Sequence, residues 1–371
     1  MKVLFISSWY PNSTNPLKGI YVKKHAEAIK KTGVKIVVLA LTVSHSKRLF
    51  EKKVSISTDE NGITTHLIEL NSGFYKLIHV NLLLQSNFLR KHFDREIKPS
   101  FKPDVIHSNV LYPAAIMGYW LSKRENIPHI ITEHWSKVDK FLSTNLFAVS
   151  GRKAYNSAKY VTAVSGFLGR SLSKHFEKPD KIKVVPNVVD TSVFSYKAKP
   201  SNSKLIFCCV AHWNGVKRPD LIFNSLESFS KQSNKVVVLN VIGEGVLLSE
   251  LKKEKWNFEI NYLGNRQRKE LADQLQAADY FLHASEMETF SIVIAEALAT
   301  GTPVLASNAG AIPELINKEN GLLCNNDVDS WLKGLNDLVK TKFDHEKISG
   351  QAQNFSLEKV GNKFLELYKS I

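Results

Sequence analysis

Residues 284–316 read ASEMETFSIVIAEALATGTPVLASNAGAIPELI. The apolar run Tyr280–His283 just before them reads as a strand, Ile292, Val293 and Leu298 as the buried stripe of a helix, and Pro303–Ala306 as the next strand. Strand, helix and strand joined by short turns is the repeating unit of a parallel sheet covered by helices. Glu288 and Glu296 stand eight positions apart, the first at the strand-to-helix turn and the second inside the helix. Such a turn offers the free N–H groups of Thr289, Phe290, Ser291 and Ile292 to an anion, because the unpaired donors and the helix dipole both favour negative charge. A nucleotide diphosphate fits that position, and Glu296, about two turns into the helix, is placed to accept from a ribose diol. The alternative for a Glu pair on a helix is a solvated face.

The same alternation extends in both directions. Upstream, Val3–Ser7, Lys35–Leu41, Val105–His107, His129–Thr132, Tyr160–Val164 and Lys183–Val185 are β-branched apolar runs separated by helix-like stretches. The stretch Asn187–Lys204, with Tyr196, Pro200 and a Ser-Asn-Ser cluster, breaks the pattern and reads as a linker. A second series follows in Leu205–Val210, Val236–Ile242, Glu259–Leu263, Tyr280–His283, Pro303–Ala306 and Gly321–Cys324. The expected architecture is α/β, with two Rossmann-like, doubly wound parallel-sheet domains over residues 1–190 and 200–354. Ligands of open α/β sheets bind at the carboxyl ends of the strands, so the site is expected in a cleft between the two domains. Val360, Phe364, Leu367, Tyr368 and Ile371 recur at helical spacing, which predicts an amphipathic helix within 355–371 that packs back on the first domain.

At 371 residues and 43% hydrophobic, the chain can bury two cores of ordinary size. It has no apolar run long enough to span a membrane and no signal-peptide pattern after Met1, so it is expected to be cytoplasmic. Cys208, Cys209 and Cys324 lie among apolar neighbours and read as reduced core residues. No Cys/His pair shows metal-ligand spacing. The net charge of +15 is segregated: residues 1–190 hold 29 Lys and Arg against 14 Asp and Glu, and the rest of the chain is neutral. A potential confined to one domain points to an anionic partner there, such as a membrane surface or a lipid phosphate. A coding bias toward lysine is the plainer reading. Phe74–Lys102 interleaves Leu77, Leu83, Phe88 and Phe93 with Lys76, Arg90, Lys91 and Arg95, as an interfacial helix does, although a helix covering a sheet would show the same pattern.

The quoted segment resembles the signature of glycosyltransferase family 4, retaining enzymes of GT-B fold. The family pattern, Glu, seven residues, Glu, a small-residue turn and Pro-Val, is matched by Glu288, Glu296, Gly301, Thr302, Pro303 and Val304. The likeness continues in Gly310–Glu314, in Gly243-Glu244-Gly245, in Tyr262–Gly264 and in Val185–Phe194. The Gly-Glu-Gly does not complete a dinucleotide fingerprint, since Leu248 stands where the third glycine belongs. The resemblance implies that Lys217 grips the donor diphosphate, that His212 stands where arginine is common, and that Arg218 is a secondary helper. It places Gly243 and Asn265 at the donor, Gly19 in a loop where backbone approaches a phosphate, and His134 against the donor sugar. Glu133 either orients His134 or faces solvent.

The resemblance, with the basic first half, implies transfer of a sugar from a UDP- or GDP-sugar to a glycan or lipid-linked glycan, in bacterial envelope polysaccharide synthesis at the inner face of the membrane. With Lys217, a helix N-terminus and the Gly19 loop facing the diphosphate, no cofactor and no metal are expected; Asp327-Val328-Asp329 reads as a helix start. His134, Lys217 and Glu288 are the expected catalytic residues. The alternative enzyme is a nucleotide-sugar epimerase of the same fold. A nucleic-acid-binding protein, suggested by the basic half alone, has no recognition motif to support it, and nucleic acid is not expected as a partner.

Overall fold

The computed structural model describes residues 1–144, 146–198 and 203–371. The chain divides into two compact units, residues 1–188 with 357–371, and residues 189–356. In the first, β1 (Lys2–Ser7), β2 (Lys35–His45), β3 (Glu51–Thr58), β4 (Thr64–Ser72), β5 (Val105–Asn109), β6 (His129–Glu133), β7 (Tyr160–Ala163) and β8 (Ile182–Val184) form one sheet in the order β3-β4-β2-β1-β5-β6-β7-β8. Every neighbouring pair is parallel except β3 with β4. In the second, β9 (Leu205–Val210), β10 (Val237–Ile242), β11 (Glu259–Gly264), β12 (Tyr280–His283), β13 (Val304–Ser307) and β14 (Gly321–Cys324) form an all-parallel sheet in the order β11-β10-β9-β12-β13-β14. The architecture is the GT-B fold of two doubly wound sheets.

The strand order reverses once in each unit. β1 lies between β2 and β5, and β9 between β10 and β12. At such a point the loops leaving the two adjacent strands run to opposite faces, and a crevice opens between them. The β1 and β5 loops begin at Ser8 and Val110, the β9 and β12 loops at Ala211 and Ala284. Ser291 and Val110, one in each unit, hold left-handed backbone at φ 73° and φ 67°, a strain that non-glycine residues carry only where the surroundings impose it.

The sequence reading missed the β3–β4 pair. β3 is a sheet edge with Lys52, Lys53, Val54 and Ile56 exposed, so it lacks the buried run that marks the interior strands. The Phe74–Lys102 stretch is broken into Tyr75–Val80, Leu82–His92 and a wider turn, Phe93–Ile97. Leu82, Leu89, Phe93 and Ile97 face the core, whereas Leu77 and Leu83 are exposed. The proposed linker begins as packed chain, with Val188, Val189 and Phe194 buried; its Pro200 and neighbouring residues lie outside the described residues. Cys208, Cys209 and Cys324 are free and buried.

The helix Leu357–Lys369 belongs to the first unit, where it lies on the helix Ile20–Lys31. A Cβ on Gly361 would stand 2.3 Å from the Ala28 carbonyl oxygen, so only glycine permits this approach. Tyr368 reaches His107 Nδ1 at 2.5 Å, and His107 Nε2 meets Thr132 Oγ1 at 2.7 Å. His25 donates from Nε2 to the Pro186 carbonyl at 3.0 Å, and His129 Nε2 meets Ser108 Oγ at 2.8 Å.

Burial pushes the pKa of His25 down to about 4, against the pull of the Pro186 carbonyl, and that of His129 down to about 3. In the unfolded chain both titrate near 6.5. Below about pH 6.5 the unfolded state therefore takes up protons that the folded state refuses, and stability falls continuously until the folded pKa is reached. At pH 5 each histidine should cost about 2 kcal/mol relative to pH 7. Urea denaturation at the two pH values measures the loss, and His129→Gln should remove its share.

Candidate active site

The β9 and β12 loops are bound to each other. Lys217 pairs with Ser285 as an antiparallel bridge, the Glu286 N–H donates to the Val216 carbonyl at 2.8 Å, and the Arg218 N–H donates to the Ala284 carbonyl at 3.2 Å. This short ladder carries the Lys217 ammonium to Glu288 Oε1, with which it forms an ion pair. The β9 loop in turn lies on the Gly-Glu-Gly turn after β10. A Cβ at Gly243, which has φ 95°, would stand 1.9 Å from the Ala211 carbonyl oxygen, and one at Gly245 would stand 2.1 Å from that of Trp213. The Trp213 indole donates to the Ile242 carbonyl at 2.9 Å. The two glycines are therefore explained by backbone packing beneath the loop that bears Lys217.

Glu288 also accepts from His283 Nε2 at 3.0 Å, and the same nitrogen lies 3.2 Å from Ser291 Oγ. Burial by itself would raise the Glu288 carboxyl, but the His283 hydrogen bond and the Lys217 charge outweigh it and bring its pKa down to about 2. His283 is fully enclosed at the end of β12; burial lowers its pKa against the pull of Glu288, so it is a neutral donor. The Glu288 backbone is clamped as well. The Ala311 N–H donates to its carbonyl at 2.9 Å, and Gly310, at φ 57°, sits where a Cβ would come within 2.3 Å of that oxygen. The Gly310–Glu314 motif is thus a brace for Glu288.

Beyond Glu288 the chain enters the helix Ile292–Ala299, whose first-turn N–H groups have no partner within the helix. Thr289 and Ile292 are half-buried at this turn, while the Phe290 ring packs edge-on against Phe355 at 5.4 Å. Glu296 is 3% exposed and ion-pairs with Arg268 Nη1 at 3.2 Å. The Arg268 guanidinium lies 4.9 Å above the buried ring of Phe194. Burial raises the Glu296 pKa, Arg268 lowers it and Asp190 raises it, which leaves it at about 7.

Arg268, Phe194 and His283 were not singled out as site residues in the sequence. A signal for Arg268 was present, since it opens the helix Arg268–Ala277, where the dipole disfavours a cation. Of the other expected donor residues, His212 is exposed with Nδ1 3.1 Å from the Glu244 carbonyl, and Asn265 is exposed just past β11. Arg218 does not join Lys217: its guanidinium is held by Asp220 at 2.7 Å and Glu286 at 3.5 Å. Asp327 caps the helix Val328–Lys340, accepting from the Ser330 N–H at 2.7 Å.

In the first unit, Gly19 (φ 63°) precedes the helix Ile20–Lys31, and a Cβ there would lie 2.0 Å from the Trp9 carbonyl oxygen. His134 is buried after β6, its ring 4.8 Å from that of Tyr21 and 5.2 Å from that of His25. Burial, with His25 and His107 nearby, lowers its pKa well below the usual range, against the pull of a hydrogen bond to the Asn187 side chain. Glu133 does not face solvent. It is fully buried and accepts from the N–H groups of Leu111, His134 and Trp135 at 2.9, 2.8 and 2.8 Å and from the Tyr155 hydroxyl at 2.9 Å.

The sequence profile of Glycosyltransferase Family 4 matches residues 19–193, and that of Glycosyl transferases group 1 matches residues 193–355. The chain belongs to glycosyltransferase family 4. Among the relatives of this family 4 glycosyltransferase is TuaC of Bacillus subtilis, assigned to teichuronic acid biosynthesis, 26% identical over 94% of this chain and 90% of that protein. Another is the alpha-monoglucosyldiacylglycerol synthase of Streptococcus pneumoniae, 26% identical over 74% of this chain and 68% of its own. Solved structures of the same fold include the sucrose-phosphate synthase of Thermosynechococcus elongatus (TM-score 0.76, 18% identity, 100% and 98% of the two chains). Anabaena HepE in complex with UDP is similar as well (TM-score 0.73, 16% identity, both chains in full).

The Glu296 pair yields a measurable expectation for this glycosyltransferase. A carboxyl whose folded pKa lies above its unfolded value gives up stability as pH rises between the two. Arg268→Gln removes the cation and extends that loss to higher pH. The variant should fall behind wild type by about 1.5 to 3 kcal/mol more at pH 8.5 than at pH 5. Urea unfolding at both pH values checks this, and in a Glu296→Gln background the pH-dependent part should vanish.

Proposed function

We propose that this glycosyltransferase moves a hexose from a UDP- or GDP-sugar to a glycan or lipid-linked glycan of the bacterial envelope, with retention of configuration and without a metal. The observation that carries the reading is the Lys217–Glu288 pair at the reversal point of the second sheet, beside the N-terminus of the helix Ile292–Ala299. Departure of the donor breaks the bond between the anomeric carbon and the diphosphate oxygen. Negative charge grows on the diphosphate, where Lys217 and the first-turn N–H groups meet it. Glu288, ionised down to a pKa of about 2, is an acceptor for sugar hydroxyls at any working pH. Glu296 takes the ribose diol. The acceptor oxygen bonds to the anomeric carbon from the face the diphosphate leaves, and its proton passes to the departing phosphate oxygen.

Retention accords with two relatives named for α-glycosides, the pneumococcal alpha-monoglucosyldiacylglycerol synthase and the N-acetyl-alpha-D-glucosaminyl L-malate synthase of Bacillus anthracis. HepE has been solved with UDP and with UDP-glucose, which supports a uridine donor. The basic first half supports action at the inner face of an anionic membrane. Within it, a groove of about 540 Å³ is lined by Lys52, Lys91 and Arg95 together with Val54, Ile56 and Phe88. Among the described residues no helix is long and apolar enough to cross a membrane.

Thermal-shift titration with UDP-, GDP-, ADP- and TDP-sugars in EDTA tests the donor site. One nucleotide series should stabilise the protein, and Lys217→Ala should weaken that effect. Glu288→Gln should cut turnover by about 100- to 1,000-fold with the fold intact, and NMR of the product should show the donor's anomeric configuration. Stabilisation that requires added metal, an inverted product, or an isomerised sugar released without acceptor would each overturn the reading.

A further inference from the structure

The loops at the carboxyl ends of β1, β5 and β6 each present an aromatic ring that no donor role uses. Trp9 lies two residues past β1, Tyr112 three past β5 and Trp135 two past β6. All three are half-buried. The Trp9 and Trp135 rings stand 6.4 Å apart at 71°, so that they form a corner with two flat faces. Trp135 is 5.7 Å from Phe141, and Phe141 is 5.1 Å from Tyr112; on the other side Trp9 is 6.5 Å from Tyr21, which meets His134. The series is continuous and sits on the edge of the sheet where ligands of α/β folds bind.

The backbone beneath these rings is held rigidly. Glu133 accepts from the N–H of Trp135 and from that of Leu111, the residue before Tyr112, so one buried carboxylate ties down two of the three loops. The Trp9 N–H donates to Ser7 Oγ at 3.0 Å, and the Trp9 carbonyl is pressed against Gly19. Rings fixed in this way are preorganised for a ligand and lose little freedom on binding it.

We infer that Trp9, Trp135 and Tyr112 form a saccharide subsite in which pyranose rings of the acceptor stack on aromatic faces. The C–H bonds on one face of a pyranose carry partial positive charge and meet the negative face of an indole or phenol ring, while the sugar hydroxyls stay in water. Half-exposed Trp and Tyr suit such an amphipathic ligand, whereas a hydrocarbon chain alone would be matched by an aliphatic wall. The inference deepens the proposed function, on which it rests: it assigns the acceptor to the glycans rather than to simple lipid alcohols.

Saturation-transfer NMR tests it, with methyl glycosides of glucose, galactose and N-acetylglucosamine and with lactose and maltose as probes and no nucleotide present. At least one probe should receive magnetisation at its ring protons from the protein's aromatic resonances. Trp135→Ala and Trp9→Ala should weaken its affinity about tenfold each, Trp135→Phe should retain part of it, and whichever of UDP and GDP stabilises wild type should stabilise all variants alike. Absence of transfer to every probe, transfer unchanged in both alanine variants, or a Trp135-dependent response only to phosphatidylglycerol vesicles would overturn the inference. A protein that takes the glycosides but is not stabilised by any nucleotide sugar would leave the saccharide site standing and remove the donor reading instead.

Discussion

Burying a carboxylate costs several kcal/mol unless hydrogen bonds or a cation replace its water, and the organisation of both sites follows from how this chain meets that cost. Glu133 meets it with three backbone N–H groups and a tyrosine hydroxyl, so the loops after β5 and β6 are held in one arrangement. Glu288 meets it with His283 and Lys217, which come from the end of the preceding strand, β12, and from the β9 loop. In each unit the satisfied carboxylate is a tie that fixes the loops around it.

Three glutamates of this chain, Glu133 and Glu296 buried and Glu288 largely enclosed, reach three different electrostatic states. Glu288 is driven deep into the ionised range because a lysine and a histidine converge on a single oxygen. Glu296 has one arginine against burial and the nearby Asp190, and it is balanced at about 7. Glu133 has no cation; burial raises it and neutral donors pull it back. The difference bears on the proposed reaction, in which an acceptor of sugar hydroxyls must stay ionised, while a group poised at 7 would make diol binding sensitive to small changes around it.

Much of this arrangement was legible in the residue order. The buried strands β1, β5, β6, β9, β10, β12 and β13 appear as apolar runs because both faces of a parallel sheet are covered. Glu288 and Glu296 were visible as a spaced motif, Lys217 through the family resemblance, and Asp327 as a helix start. β3 was not visible, because an exposed edge strand with adjacent lysines carries no burial pattern. The aromatic series was equally hidden: Trp9, Tyr112 and Trp135 are far apart in the chain, and only the parallel order of β1, β5 and β6 brings their loops to one edge.

The amino-acid sequence by itself determined the interior strands, the division into two parallel sheets and the candidate donor motif, because periodicity and capping are local and leave their mark within a few residues. It did not determine partnership. That Arg218 turns to Asp220 while Arg268 takes Glu296, that Gly243 and Gly310 make room for neighbouring backbone, and that Glu133 is a buried tie were decided by tertiary structure. Each depends on which loops the strand order sets side by side, and that order is a property of the whole sheet.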